Sequence, residues 1–252
     1  MTERSPRRRA WRWTSTAVLA AVVVGGLAVP AGAATPTPSA ASTRASGPTT
    51  LATVQADGAA AIAQRETQLG KLTAKLAAEP ACDAGGAQAA RLPGDASGLT
   101  ALGAKLAADT DVATAKNDLR SIFDDYRIYL VVTPQVFTLT ACGHIRSATD
   151  QLVGIEATLT TRVDAAAAAG KDMTAARADL ADMTAKIASA RSAGDAAASS
   201  LSGIVPDRGD QSVLASNQAA VAAARAGLTG AHGDLTTAVT DGHNVVAALK
   251  AA

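Results

Sequence analysis

Residues 211–252 read QSVLASNQAAVAAARAGLTGAHGDLTTAVTDGHNVVAALKAA, and this stretch decides the fold class. Its larger apolar side chains recur every seven residues, and mostly small residues interleave with them three or four positions away. The two rows are Leu214, Val221, Leu228, Leu235, Gly242 and Leu249, and Asn217, Ala224, Ala231, Ala238 and Val245. A 3.5-residue period sustained over several heptads is typical of helices that pack along their length at shallow angles. The stretch therefore predicts one long helix of a bundle.

The same spacing occurs twice more upstream. The two stripes are Met173, Ala176, Leu180, Met183, Ile187, Ala190, Gly194, Ala197 and Leu201, and Leu51, Val54, Ile62, Leu69, Leu72 and Leu76. Glu79-Pro80 is expected to end the first helix, because proline disfavours the helical state of the residue before it. Residues 80–97 are rich in Gly and Pro and are expected to form a loop, with Ser97 capping a short helix after it.

Short connections separate the remaining predicted helices. They lie at 109–111, at 131–134 around Thr133-Pro134, at 170–172 with Gly170 as the terminating glycine, and at 202–209. The predicted N-caps of the helices that follow are Thr110, Asp172 and Asp210. Because connections as short as 131–134 and 170–172 join antiparallel neighbours, the pattern predicts an all-α fold, an elongated antiparallel helical bundle or coiled coil.

Composition excludes several classes of protein. The chain has 252 residues, of which 48% are hydrophobic but only 2% aromatic, and roughly a quarter are alanine. Alanine favours helices, whereas the residues that favour strands are scarce, which excludes a β-sandwich or barrel. Five of the 23 basic residues and one of the 22 acidic residues lie within the first thirteen, so the remainder carries 18 basic against 21 acidic residues, a net charge of −3. A basic nucleic-acid footprint is therefore not expected.

The N-terminus has the features of a secretory signal. An arginine-rich segment precedes the apolar run Ala17–Val29, and Ala31-Gly32-Ala33 supplies the small residues of a cleavage site. We predict a signal peptide at 1–33, a disordered Pro/Ser/Thr-rich tether at 34–50 and a helical domain at 51–252. The protein is then secreted or cell-wall-associated, with no membrane span after cleavage. An uncleaved N-terminal anchor is the alternative, although thirteen apolar residues are few for a bilayer.

Cys82 and Cys142 are the only cysteines. An even number in an exported chain favours one disulfide over two free buried thiols. If residues 97–131 formed one straight helix, the two cysteines would lie near opposite ends of the bundle, too far apart to be joined. The disulfide therefore predicts that the chain reverses at 109–111.

Every aromatic residue after the signal lies in one segment, 121–137, which reads SIFDDYRIYLVVTPQVF. Two interpretations compete. The rings form a thick, filled packing layer of the bundle, which we favour because large buried side chains dominate core energetics, or they form an exposed tip that docks on a partner. The candidate interaction residues are Phe123, Tyr126, Arg127, Tyr129 and Phe137.

The segment Asp118–Tyr129 (DLRSIFDDYRIY), followed by Val131–Gln135 (VVTPQ), resembles a group of uncharacterised exported α-helical proteins of high-GC Gram-positive bacteria. The hairpin Ala169-Gly170-Lys171-Asp172 is similar as well. The resemblance covers roughly residues 110–190. It implies an all-α secreted protein without an established activity, and it supplies no catalytic residues.

The sequence offers no catalytic, metal or cofactor site. Cys142-Gly143-His144 lacks the further ligands that a closed zinc site needs, because His232 and His243 are far away in sequence. We therefore expect a non-catalytic secreted or envelope protein that acts as a spacer or interaction module for an unknown protein or cell-wall partner. The alternative is a protein that binds a small ligand or a cell-wall polymer in a groove near Tyr126, Arg127 and Tyr129.

Overall fold

The computed structural model describes residues 49–252, and every regular element in that range is helical. The elements are α1 (Leu51–Ala78), α2 (Ala84–Ala108), α3 (Val112–Asp124), a π-helical turn (Ile128–Val132), α4 (Thr133–Ala168), α5 (Thr174–Ser202) and α6 (Gln211–Ala251). The predicted all-α class is confirmed. The predicted signal peptide and nearly all of the predicted tether lie outside the described residues.

Helices α4, α5 and α6 pack around the stripes that the sequence predicted. All nine residues of the predicted α5 stripe and ten of the eleven of α6 are buried, Leu249 being partly exposed. Ion pairs Arg191–Asp150 and Lys186–Asp234 join α5 to α4 and α6. Two of the predicted caps form: Gly170 has φ +81, and Asp210 accepts from the amide of Ser212 at 2.8 Å. The N-cap of α5 is Met173 rather than Asp172, whose carboxylate accepts from the amide of Thr174 at 3.0 Å. The alanine-rich heptads thus build one core of the protein.

A second core lies between α1, α2 and α3, and here the predicted loop at 80–97 is wrong. Helix α2 begins at Ala84 and contains Pro93. Leu92 precedes Leu99 and Leu106 by sevens, and all three are buried, while the Pro93 ring lies on the exposed side. Burial of the leucine stripe offsets the one hydrogen bond that proline removes. Ser97 is therefore no cap; its hydroxyl donates to the carbonyl of Pro93.

The predicted antiparallel connection at 131–134 is also wrong, although α4 does begin at Thr133 with Pro134 in its first turn. Helix α3 and the start of α4 both follow α1 in the same direction, since Arg65 contacts Phe123 and Gln68 contacts Thr133. The chain deviates earlier, at Arg127, whose φ is +44. A π-helical turn then leads into α4, and it accommodates Pro134, whose ring would collide with the preceding carbonyl in a regular α-helix.

The predicted break at 109–111 and the predicted disulfide are both confirmed. Helix α3 runs antiparallel to α2, with Lys105 paired to Asp118 at 2.7 Å. The N-cap is Asp111 rather than Thr110, and its carboxylate accepts from the amides two and three residues later. Cys82, between α1 and α2, is bonded to Cys142 in α4, with a Cα–Cα distance of 5.7 Å. The reversal brings α4 back to the level of Cys82, as the spacing argument requires.

Gly143, beside this disulfide, lies against the backbone between α1 and α2. A Cβ there would overlap the carbonyl of Pro80 and the amide nitrogen of Ala81. We expect Gly143→Ala to lower the free energy of unfolding by about 2–3 kcal/mol, because backbone rather than a flexible side chain must move. Gly154→Ala, also in α4 but with open space at its Cβ, is the control and should gain up to about 1 kcal/mol from helix propensity. Urea unfolding measures both, and equal stability of the two variants would contradict the prediction.

Candidate interaction surface

The aromatic segment does not form a filled packing layer, so the favoured interpretation of 121–137 is wrong. Phe123, Tyr129 and Phe137 are 44%, 48% and 44% exposed. The interior positions of this segment are occupied by aliphatic side chains, namely Ile122, Ile128, Val131, Val132 and Val136. Phe123, Leu130 and Phe137 recur every seven residues on the outer side, and Leu130 is 48% exposed as well. The segment therefore covers the core with its aliphatic side and presents three of its four rings outward.

These rings face one side of α1 and form with it a surface that we call the α1–α4 groove. It comprises Gln64, Thr67, Gln68, Lys71 and Lys75 of α1, together with Tyr129, Thr133 and Phe137. The Tyr129 hydroxyl donates to the carbonyl of Gln64 at 3.2 Å, and the Gln68 amide donates to the Thr133 hydroxyl at 3.3 Å. A shallow, open depression of about 370 Å³ lies at Tyr129. The groove thus combines aromatic faces, amides, hydroxyls and ammonium groups.

Arg65 lies beneath one end of the groove. Its guanidinium carbon is 4.3 Å from the centre of the Phe123 ring and 5.5 Å from that of Tyr129, so the cation is stacked by both. One of its nitrogens donates to the carbonyl of Ala61 at 2.9 Å. Burial lowers the pKa of Arg65, although a guanidinium remains charged at any physiological pH. Both rings therefore contact α1 through this cation.

Positive charge predominates along the groove. Lys75 lies 4.8 Å from the centre of the Phe137 ring and pairs with Glu79 at 2.6 Å. Hydrogen bonding to Lys75, and more weakly to His144, lowers the pKa of Glu79. Lys71 is exposed and, within residues 49–252, makes no ion pair or hydrogen bond. One cation of the groove is therefore available to a ligand.

Arg127, another predicted interaction residue, lies outside this groove. Its side chain is 11% exposed and is hydrogen-bonded to both carboxylate oxygens of Asp207, at 3.1 and 3.3 Å, and paired with Asp124. Asp207 belongs to the loop between α5 and α6, and only 1% of its side chain is exposed. Arg127 therefore holds that loop against the junction of α3 and α4.

Tyr126 is likewise separated from the groove. It is partly buried against α2, where its hydroxyl occupies the space that a Cβ at Gly98 would need. Burial raises the pKa of Tyr126. Of the three residues in the predicted groove near Tyr126, Arg127 and Tyr129, only Tyr129 lines the depression.

Sequence reasoning missed the α1 side of the groove. Arg65 had a signal, because it falls at the spacing of the buried stripe, between Ile62 and Leu69, where a charged residue is unusual. Lys71 and Lys75 had none, since exposed lysines are ordinary on a helix. Asp207 also had none, because loop carboxylates seldom become buried.

A metal site and a membrane span are two further features that the described residues could hold. No group of three or more His, Cys, Asp or Glu side chains suited to a metal ion is found between residues 49 and 252. Within the same range one helical stretch, Val112–Ala168, is long and apolar enough to cross a membrane, and 61% of its most apolar window is buried inside the fold.

Comparison of the chain with protein-family models, with characterised proteins and with solved structures gives no match.

Proposed function

We propose that the protein is a non-catalytic, exported helical spacer that carries an interaction surface, the α1–α4 groove. The observation that carries the proposal is the row of nearly half-exposed rings beside cations, in a chain that has only four aromatic residues after its predicted signal. A monomer seldom leaves large apolar side chains grouped on its surface unless they meet a partner. Aromatic residues and arginine are also those that contribute most at interaction surfaces.

The spacer part of the proposal rests on how the helices follow one another. The path from Val112 to Ala168 passes through α3, the π-helical turn and α4, and α4 alone comprises 36 residues, about 54 Å at the helical rise. α1 and α2 accompany its first part, and α5 and α6 accompany its second. This staggered overlap supports an elongated, largely antiparallel bundle. Together with the signal and tether predicted from the sequence, it supports a rod held away from the site of export.

The chemistry of the groove supports binding rather than catalysis. The six residues that line the depression are Ala63, Gln64, Thr67, Gln68, Lys71 and Tyr129. None of them is a carboxylate, imidazole or thiol that would act as a general base or nucleophile near neutral pH. Arg127, which the alternative hypothesis places in the groove for a small ligand or polymer, is already paired with Asp207.

The proposal is tested by co-sedimentation of the exported protein with cell-envelope material of the producing organism. The double variant Tyr129→Ala, Phe137→Ala should lose at least about tenfold in association, because both exposed rings are removed. Each substitution should cost only about 1–2 kcal/mol of stability, less than the roughly 3–5 kcal/mol of a fully buried ring. Val153→Ala, an exposed apolar residue of α4, is the control and should sediment as the unmodified protein does. A double variant that remains folded and sediments unchanged would remove the support for this surface.

A further inference from the structure

We propose that the α1–α4 groove binds a segment of an acidic polysaccharide, that is, sugar rings that carry carboxylate or phosphate groups. The inference rests on the proposed function of this groove as an interaction surface and names the class of its partner. Three properties of the groove point to this chemistry: the spacing of its exposed rings, the polar groups between them and the sign of its charge.

The exposed rings provide two platforms along one line. Tyr129 and Phe137 are eight residues apart on the path from the π-helical turn into α4, which separates them by about 12 Å along the helix. Both rings are nearly half-exposed. A sugar ring has an apolar face of C–H groups, which an exposed aromatic face removes from water. Two platforms at this distance fit a short oligosaccharide segment better than a single sugar.

Polar groups between the platforms match sugar hydroxyls. Gln64 is exposed, and each side-chain amide offers both donors and an acceptor. Gln68 uses one donor on Thr133 and retains its carbonyl oxygen. The Thr67 hydroxyl donates to the carbonyl of Ala63, which leaves its lone pairs as acceptors. A sugar hydroxyl both donates and accepts hydrogen bonds. This mixture of donors and acceptors therefore matches a sugar better than it matches a purely apolar or purely cationic partner.

The charge of the groove selects an anionic sugar chain. Arg65, Lys71 and Lys75 line or underlie the groove, and Lys75 is paired with Glu79. The chain after residue 13 is acidic overall, with 18 basic and 21 acidic residues, so this positive surface is a local exception. Its few cations also argue against a nucleic acid, whose binding depends on neutralising many phosphates. A partner with scattered negative charges and many hydroxyls fits the observed set.

The test is calorimetric titration of the chain from residue 34 onward with defined probes. A uronic-acid oligosaccharide and a phosphodiester-linked sugar oligomer represent the two sources of negative charge, and binding of either supports the proposal, the tighter one identifying the anion. A neutral glucose oligosaccharide of the same length should bind at least about tenfold more weakly. Polyphosphate, which has charge without sugar rings, and a single-stranded oligonucleotide should bind more weakly than the acidic sugars. Equal or tighter binding of either overturns the proposal.

Two substitutions connect binding to the groove. Lys71→Gln should weaken binding of the acidic oligosaccharide roughly five- to tenfold, by removing one charge-assisted contact, and should leave the neutral probe unaffected. Lys171→Gln, an exposed lysine of the α4–α5 turn, is the matched control and should change neither. Phe137→Ala should weaken both probes. If envelope association depends on Tyr129 and Phe137 but no acidic sugar binds, this inference fails and the proposed function stands; if envelope association is also independent of the rings, both fail.

Discussion

Replacing Asp207 by alanine should lower the free energy of unfolding by about 3–5 kcal/mol, the usual consequence of removing one partner from a buried ion pair. The Asp207 side chain is 1% exposed and accepts from Arg127 at 3.1 and 3.3 Å and from the amide of Gly209 at 2.9 Å. Without it, the guanidinium of Arg127 remains largely buried with only Asp124 as a charged partner. Arg127 would also lose the contact that holds it at φ +44. Chemical denaturation at constant salt measures the loss.

Asp150→Ala provides the control for this prediction. Asp150 pairs with Arg191 at 2.6 Å, closer than the Asp207 pair, but both partners are more than half exposed. An exposed pair contributes only about 0–1 kcal/mol, because water screens it and both side chains lose freedom. A loss of similar size in the two variants would show that burial does not distinguish the pairs and that Arg127 finds other partners.

Removing the disulfide by the double substitution Cys82→Ala, Cys142→Ala should destabilise the protein by about 4 kcal/mol. The cysteines are 60 residues apart, and the unfolded chain without the bond regains the entropy of a loop of that length. Alanine at both positions avoids a free thiol. Thermal unfolding of this variant measures the effect.

The unmodified protein, unfolded in the presence of a reductant, is the comparison for the disulfide variant. The two cysteines are 2% and 0% exposed, so reduction should follow unfolding and not precede it. A difference below about 1 kcal/mol between the oxidised protein and the alanine variant would mean that the unfolded chain already keeps the two positions close, in which case the entropic estimate does not apply.

Sequence reasoning succeeded where local signals and burial agree. The α5 and α6 stripes, the glycine at 170 and the cap at Asp210 all depend on spacing or on residues a few positions apart, and these were predicted correctly. The predicted loop at 80–97 is wrong because the leucine spacing of seven from Leu92 to Leu99 decides the structure there and Pro93 does not. Tertiary packing on α1 outweighs the local preference there.

For the candidate surface, the sequence predicted the aromatic residues but not the α1 side. Phe123, Tyr129 and Phe137 were predicted as candidates, because aromatics are rare in this chain and concentrated in one segment. Whether they face inward or outward depends on what α1 places beside them, and Arg65 stacks on two of the rings. That partner is about 60 residues away in sequence, so periodicity within 121–137 does not reveal it.

The position of Cys82 has a mechanical consequence for the proposed tethered spacer. Although Cys82 follows α1, its side chain belongs to the core of α4, α5 and α6. A force applied between residue 50 and the C-terminus therefore passes from α1 through the covalent bond into α4 and bypasses α2 and α3. The 60-residue span between the cysteines is withheld from extension, which removes roughly 200 Å from the length that the stretched chain would otherwise reach. Under load, the disulfide keeps the end of α1 attached to the core of α4, α5 and α6.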